Sequence, residues 1–253
     1  MKCGTVTRSR VTLSTSFFDL LLLVERNTTI LLSKEQYFRH IRPYSMTLLA
    51  RFQREVNRLV DQDRGTRKRG LLKLLEDLPW ETELQEDREQ LTNFLKAVIP
   101  TVSVLVSDPI EKCRELSLRF LLKTCAIIDP LHMLNTVSQP LCGRVNDVPF
   151  LEPAEEIRLL ILTVFSGIIA KLTVSDIPAE RLQVLLHMLG VVISDSFPSV
   201  KVEATNILVQ LLPDCHASIS MNYKTLIKNL LQNVFHQHAK VRSITLRVRF
   251  YSD

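Results

Sequence analysis

The chain has 253 residues, 46% of them hydrophobic, and a formal net charge of +5. That length and apolar content exclude a chain disordered throughout. Only 6 glycines beside abundant leucine argue against an all-β chain built on tight turns. The charge is too mild to define a nucleic-acid protein, and no RNP-type aromatic strand, Cys/His finger spacing or Gly-rich phosphate loop accompanies it.

Residues 1–44 read as an N-terminal extension without a well-defined fold. The run "VTLSTSFFDLLLLVERNTTILLS" follows the basic start "MKCGTVTRSR". Asp19 interrupts the apolar stretch that a secretory signal needs. Asp19, Glu25, Arg26 and Asn27 are too many polar groups for a membrane span of about 20 apolar residues. Some helix is expected here, and no membrane association.

From residue 45 to about 250 the pattern is helical. "FQREVNRLVDQ" sets Phe52, Val56, Leu59 and Val60 on one stripe, and "GLLKLLEDL" does the same with its leucines. "LTNFLKAVIPTVSVLVSD" follows, with Pro100 as a kink. "LSLRFLLKTCAII", "IRLLILTVFSGIIAKL", "ERLQVLLHMLGVVI", "KVEATNILVQLL" and "LIKNLLQNVF" complete the series. Several are apolar nearly all round, as helices sandwiched between neighbours are. The spacing predicts helix pairs over about 46–78, 88–128, 130–172, 180–212 and 221–248. The closing "SITLRVRFYSD" alternates Ile244, Leu246, Val248 and Phe250 like a strand, so the stack is expected to be incomplete at its C-terminal end and frayed past Arg242.

The breaks between helices repeat. "DRGTRKR" runs from Asp63 to Arg69, "DPIEKCR" from Asp108 to Arg114, "EPAEEIR" from Glu152 to Arg158 and "DSFPSVK" from Asp195 to Lys201. "HQHAKVR", from His236 to Arg242, is a fifth copy with histidine in the acid's place. The closing bases stand 45, 44, 43 and 41 residues apart. Two helices per unit at a period of 40–47 residues is the HEAT/armadillo pattern. The acid, an apolar residue five later and the base six later resemble the HEAT turn and the start of its second helix. The acid is expected to cap that helix. By the family's analogy, the base meets the acid of an adjacent repeat. Exposed pairs of that sort would each contribute only about 0–1 kcal/mol.

His236 and His238, with Cys215 and His216 upstream, pose a metal alternative. The repeat reading makes them turn residues, because zinc wants three or four convergent ligands and Cys215 and His216 lie a helix away. His40, His132 and His187 stand alone. The odd set Cys3, Cys113, Cys125, Cys142 and Cys215 contains no C-x-x-C pair and reads as reduced thiols. No Ser/His/Asp, Cys/His or paired-carboxylate set presents itself, so no enzyme, cofactor or metal is assigned.

Three stretches resemble the early repeats of the HEAT-repeat axonemal dynein assembly factor family: "RKRGLLKLLEDL", "SDPIEKCRELSLRFL" and, most specifically, "LIKNLLQNVFHQHAKVR". The resemblance covers roughly residues 50–245. It implies a non-enzymatic cytoplasmic scaffold for preassembling outer and inner dynein arms in ciliated cells. Its implied partners are axonemal dynein intermediate and heavy chains, chaperones and other assembly factors, with no nucleic acid. It also implies that the chain is the front of a longer protein with altered ends. The alternative is a generic HEAT adaptor of the nuclear-transport or phosphatase-regulatory type. Nothing in the sequence names a partner-binding residue.

Overall fold

A computed structural model describes residues 20–25, 28–33, 47–82, 84–212 and 223–248. The chain divides into two units, 1–47 and 48–253. In the first, β1 (Leu20–Glu25) and β2 (Thr28–Ser33) pair antiparallel, with Leu20 opposite Ser33 and Glu25 opposite Thr28. This differs from the helix expected there. A six-residue apolar run carries no period that separates strand from helix, and the β-branched Val24, Thr28, Thr29 and Ile30 favour the strand.

The second unit is helical throughout its described residues. Two short helices, α1 (Leu48–Arg51) and α2 (Gln53–Leu59), lead into α3 (Arg64–Asp77). Then come α4 (Gln85–Val104) with α5 (Glu111–Thr124), and α6 (Pro130–Cys142) with α7 (Glu155–Ile169). The series ends with α8 (Ala179–Val192) and α9 (Pro198–Leu211), then α10 (Tyr223–Val234) and α11 (Ala239–Thr245). The five expected pairs are all present.

Local chemistry sets many of the boundaries. Asp63 caps α3 by accepting the Thr66 N–H at 2.7 Å, and Asp129 caps α6 by accepting that of His132 at 2.8 Å. Pro130 and Pro198 open α6 and α9, where a missing N–H is harmless. Glu86 and Asp87 in the first turn of α4, and Glu155 and Glu156 in that of α7, suit the positive end of the helix dipole.

The helices stack in two layers. α4, α6, α8 and α10 pack in succession on one side, and α3, α5, α7, α9 and α11 on the other. One continuous core runs between them. Leu71 and Leu74 of α3 are buried in it, followed by Leu118, Phe120 and Leu121 of α5 and Ile161, Val164 and Phe165 of α7. Leu189 of α8 and Ile207 and Leu208 of α9 continue it. Cys113, Cys125 and Cys142 are free buried thiols, and burial pushes Cys125 up to about 11 and Cys142 to about 12. They behave as small hydrophobes and not as nucleophiles. Cys3, His40, Cys215 and His216 lie outside the described residues.

The C-terminal end is more ordered than alternation predicts. α11 continues through Thr245, Ile244 is buried in its pair, and Val248 packs against the core. Leu226 and Leu230 of α10 are buried, whereas Leu231 and Phe235 are exposed. Phe250 lies outside the described residues.

Candidate functional site

Five turns join the paired helices; one device is common to all five, and a second builds four of them. In each, the first side chain accepts the backbone N–H two residues on. Asp61 accepts from Asp63 at 2.8 Å, Asp108 from Ile110 at 2.8 Å and Glu152 from Ala154 at 3.2 Å. Asp195 accepts from Phe197 at 2.8 Å, and His236, through Nδ1, from His238 at 3.1 Å. The acids at 108, 152 and 195 thus fold the chain just before the helix instead of capping it. The residue two later is the cap position, and Ile110, Ala154 and Phe197 have no side chain that could cap.

The second device is the base six residues on. One guanidinium nitrogen, Nη1, donates back to the first two carbonyls of its own turn. Arg114 reaches Asp108 O and Pro109 O, Arg158 reaches Glu152 O and Pro153 O, and Arg242 reaches His236 O and Gln237 O. Arg67 does the same to Asp61 O and Gln62 O. The first turn therefore opens on Asp61 and closes on Arg67, two residues earlier than the sequence register. Asp63 is a true N-cap, and among the described residues Arg69 bonds only within its own helix, to Gly65 O and Thr66 Oγ1.

In Arg67, Arg114 and Arg158 the two nitrogens left on the fork grip the acid of the next turn. Arg67 holds Asp108 at 2.6 and 3.1 Å. Arg114 holds Glu152 at 2.7 and 2.9 Å, and Arg158 holds Asp195 at 2.7 and 3.0 Å. These pairs are not exposed. The side chains of Arg114 and Glu152 are 7% and 0% accessible, and those of Arg158 and Asp195 are 6% and 0%. Burial pushes the Glu152 carboxyl up, but the Arg114 and Arg144 bonds and the Ala154 amide overcome it and hold it below the ordinary value. The Glu152 bonds in turn raise Arg114, and the Asp108 bonds raise Arg67. Arg144 adds a second donor to Glu152 at 3.0 Å, and Arg158 stacks over the Phe150 ring at 5.0 Å. The result is a buried seam of charge-assisted bonds stitching consecutive turns.

The seam changes at its fourth joint. Lys201 has no carboxylate there. Its Nζ donates to Asn233 Oδ1 at 2.9 Å and Ile193 O at 3.3 Å, and Asn233 Nδ2 donates to Ile193 O at 2.9 Å. Burial lowers Lys201, opposed by the Asp195 charge. His236 is lowered by burial first, then by Lys201, His238 and Arg242. Its ring stacks on that of His238 at a centroid distance of 5.4 Å. Among the described residues no three His, Cys, Asp or Glu side chains converge as a metal cluster.

One face of α10 and the residue after it, formed by Lys224, Ile227, Lys228, Leu231, Gln232 and Phe235, is open surface with no facing element lining it among the described residues. The sequence pattern made "LIKNLLQNVF" a helix but singled out no exposed face on it. The signal was there: Ile227, Leu231 and Phe235 fall four apart, a second stripe beside the buried Leu226 and Leu230.

Paired helices stacked in two layers and stitched turn to turn define an α-solenoid of the HEAT/armadillo class. The chain belongs to the family described as dynein axonemal assembly factor 5-like, TPR repeats, whose model matches residues 58–248. That description speaks of TPR repeats, which span 34 residues; the first residues of the five turns here stand 47, 44, 43 and 41 apart, as in HEAT and armadillo units. The chain is 28% identical over 193 residues to dynein axonemal assembly factor 5 of Xenopus laevis, a match covering 75% of this chain and 22% of that protein. Its fold resembles an engineered protein of known crystal structure (TM-score 0.57, 11% identity, 78% of this chain and 77% of that one). It also resembles a computationally designed armadillo repeat protein for modular peptide recognition (TM-score 0.56, 14% identity, 78% and 80%). The chain thus spans under a quarter of the length of its curated relative.

Proposed function

We propose that this chain is a non-enzymatic solenoid scaffold for the cytoplasmic preassembly of outer and inner axonemal dynein arms. Its partners on this reading are dynein intermediate and heavy chains and chaperones. The observation that carries it is the family match over 58–248. The architecture supports it in kind. A solenoid offers long, rigid, repetitive surfaces that suit holding large partners, and its polar side chains at the turns are spent on one another in the seam. The test is affinity capture of the full chain from ciliating cells, read by mass spectrometry. Dynein chains and chaperones should be enriched over a control in which the surface charges of α10 are reversed. Enrichment of transport cargo or phosphatase subunits without dynein chains would replace this reading with a generic adaptor.

A further inference from the structure

The turn of the third helix pair is the longest of the five. It spans 143–154, where the others span 60–63, 105–110, 193–197 and 235–238. The repeated turn chemistry begins only at Glu152, so the residues before it are an insertion that the repeat does not need. They form a closed loop of the Ω kind. Its neck is tied where the Glu152 N–H donates to Arg144 O at 3.0 Å and Arg144 Nη2 donates to Leu151 O at 2.9 Å. Val145 is buried in the core, and Phe150 packs against that core beneath the Arg158 guanidinium. This framework holds up two aliphatic side chains that it does not bury: Val148 is 68% exposed and Leu151 66%. Folding gains nothing from apolar groups left in water. The charge around them has one sign. Between 143 and 170 the only bases are Arg144 and Arg158, both bonded into the seam, whereas Asp147, Glu155 and Glu156 are exposed.

We propose that this loop is a docking knob for another protein, one that presents an apolar pocket ringed by lysine or arginine. Val148 and Leu151 enter the pocket, and Asp147, Glu155 and Glu156 meet its rim. A knob fixed before contact loses little conformational freedom on binding, which lets two side chains carry much of an interface. Rim acids add encounter rate and partner choice more than strength. The knob is independent of a role in dynein assembly, because its fit is set by the partner's surface chemistry alone.

Photo-crosslinking with the full chain in ciliating cells tests it. A benzophenone side chain in place of Val148 should link to one protein above all, at apolar residues with lysine or arginine beside them. The same group in place of Ser194, exposed in the next pair's turn, should not link to that protein. Leu151→Ser should lower the yield from the first site about tenfold or more. Asp147→Asn with Glu155→Gln and Glu156→Gln should lower it about threefold, and in cell extract that loss should shrink as salt rises. All four side chains are exposed, so urea midpoints should match the parent's. Equal yields at Val148 and Ser194, or a yield that Leu151→Ser leaves unchanged, overturn the proposal. So does a contact ringed by acids, or links confined to this chain itself. An unlinked knob beside captured dynein chains would remove this docking site and leave the assembly reading standing.

Discussion

An arginine in this seam does two jobs that lysine cannot do together: it clamps its own turn and bonds the next one bidentately. Arg158→Ala should therefore destabilise by about 3–5 kcal/mol, because Asp195 is left charged and buried. Arg69→Ala, whose hydrogen bonds among the described residues stay within its own helix, should shift stability by less than about 0.5 kcal/mol. Urea midpoints separate the two. Glu152 sets an acid limit. Its folded value lies below its ordinary 4.5, so its contribution is complete above that pH and is lost as pH falls through the folded value. Acid titrations should show a slope below about pH 4.5 that Glu152→Gln lacks. His236 runs the same way from a different cause. Its Nδ1 must stay unprotonated to accept the His238 N–H, and its folded value lies below 6.5. The folded state thus loses stability as pH falls below 6.5 and through the folded value. His236→Asp should raise the urea midpoint more at pH 5.5 than at pH 7.5, and equal shifts at both would discard this account. Sequence spacing brought out the inner acids and bases because each turn repeats the same offset of six. It placed the first pair two residues late, since "DQDRGTR" and "DRGTRKR" both fit an acid–base window. Only the carbonyl clamp on Arg67 separates them. Burial of the pairs was not legible either, because a charge in a sequence carries no mark of its depth.

Among helices, close approach decides where a side chain can be added. A methyl on Gly70 of α3 would stand 3.0 Å from Glu55 O and from Arg58 Cβ of α2. Gly70→Ala should cost about 1–3 kcal/mol by overpacking, despite alanine's better helix propensity. A methyl on Gly190 of α8 would meet Leu226 of α10 no closer than 3.8 Å. Gly190→Ala should instead stabilise by about 0.5–1 kcal/mol. Thermal or urea unfolding of the pair gives opposite signs if the α2–α3 contact is as tight as described. The helices themselves were readable because amphipathic and all-apolar periods persist over whole segments and proline marks their starts. The β1–β2 hairpin was not, since six apolar residues are too few to show a period. α11 was misread for a related reason: Ile244, Leu246 and Val248 alternate, yet the turn chemistry of "HQHAKVR" starts a helix that the alternation does not stop.

Over the whole stack, stability follows the joints. Three are bidentate ion pairs, and the fourth is a lysine–asparagine bond that leaves Lys201 without a directly bonded carboxylate. A stack held by nearest-neighbour contacts opens first at its weakest end. Hydrogen exchange should therefore show α10 and α11 opening as a unit before α7, and a denaturant titration should depart from a single transition. Equal protection of α11 and α7 would refute this order. The seam also has a mechanical consequence. Every joint lies at the turns, along one edge of the stack, like the stitching of a book's spine. Sliding one helix pair past the next by a single residue would tear a two-point grip whose distances are 2.6–3.1 Å. Fanning the pairs apart at the opposite edge stretches only apolar packing, which has no preferred direction. The molecule is therefore rigid to shear and compliant to bending about its stitched edge.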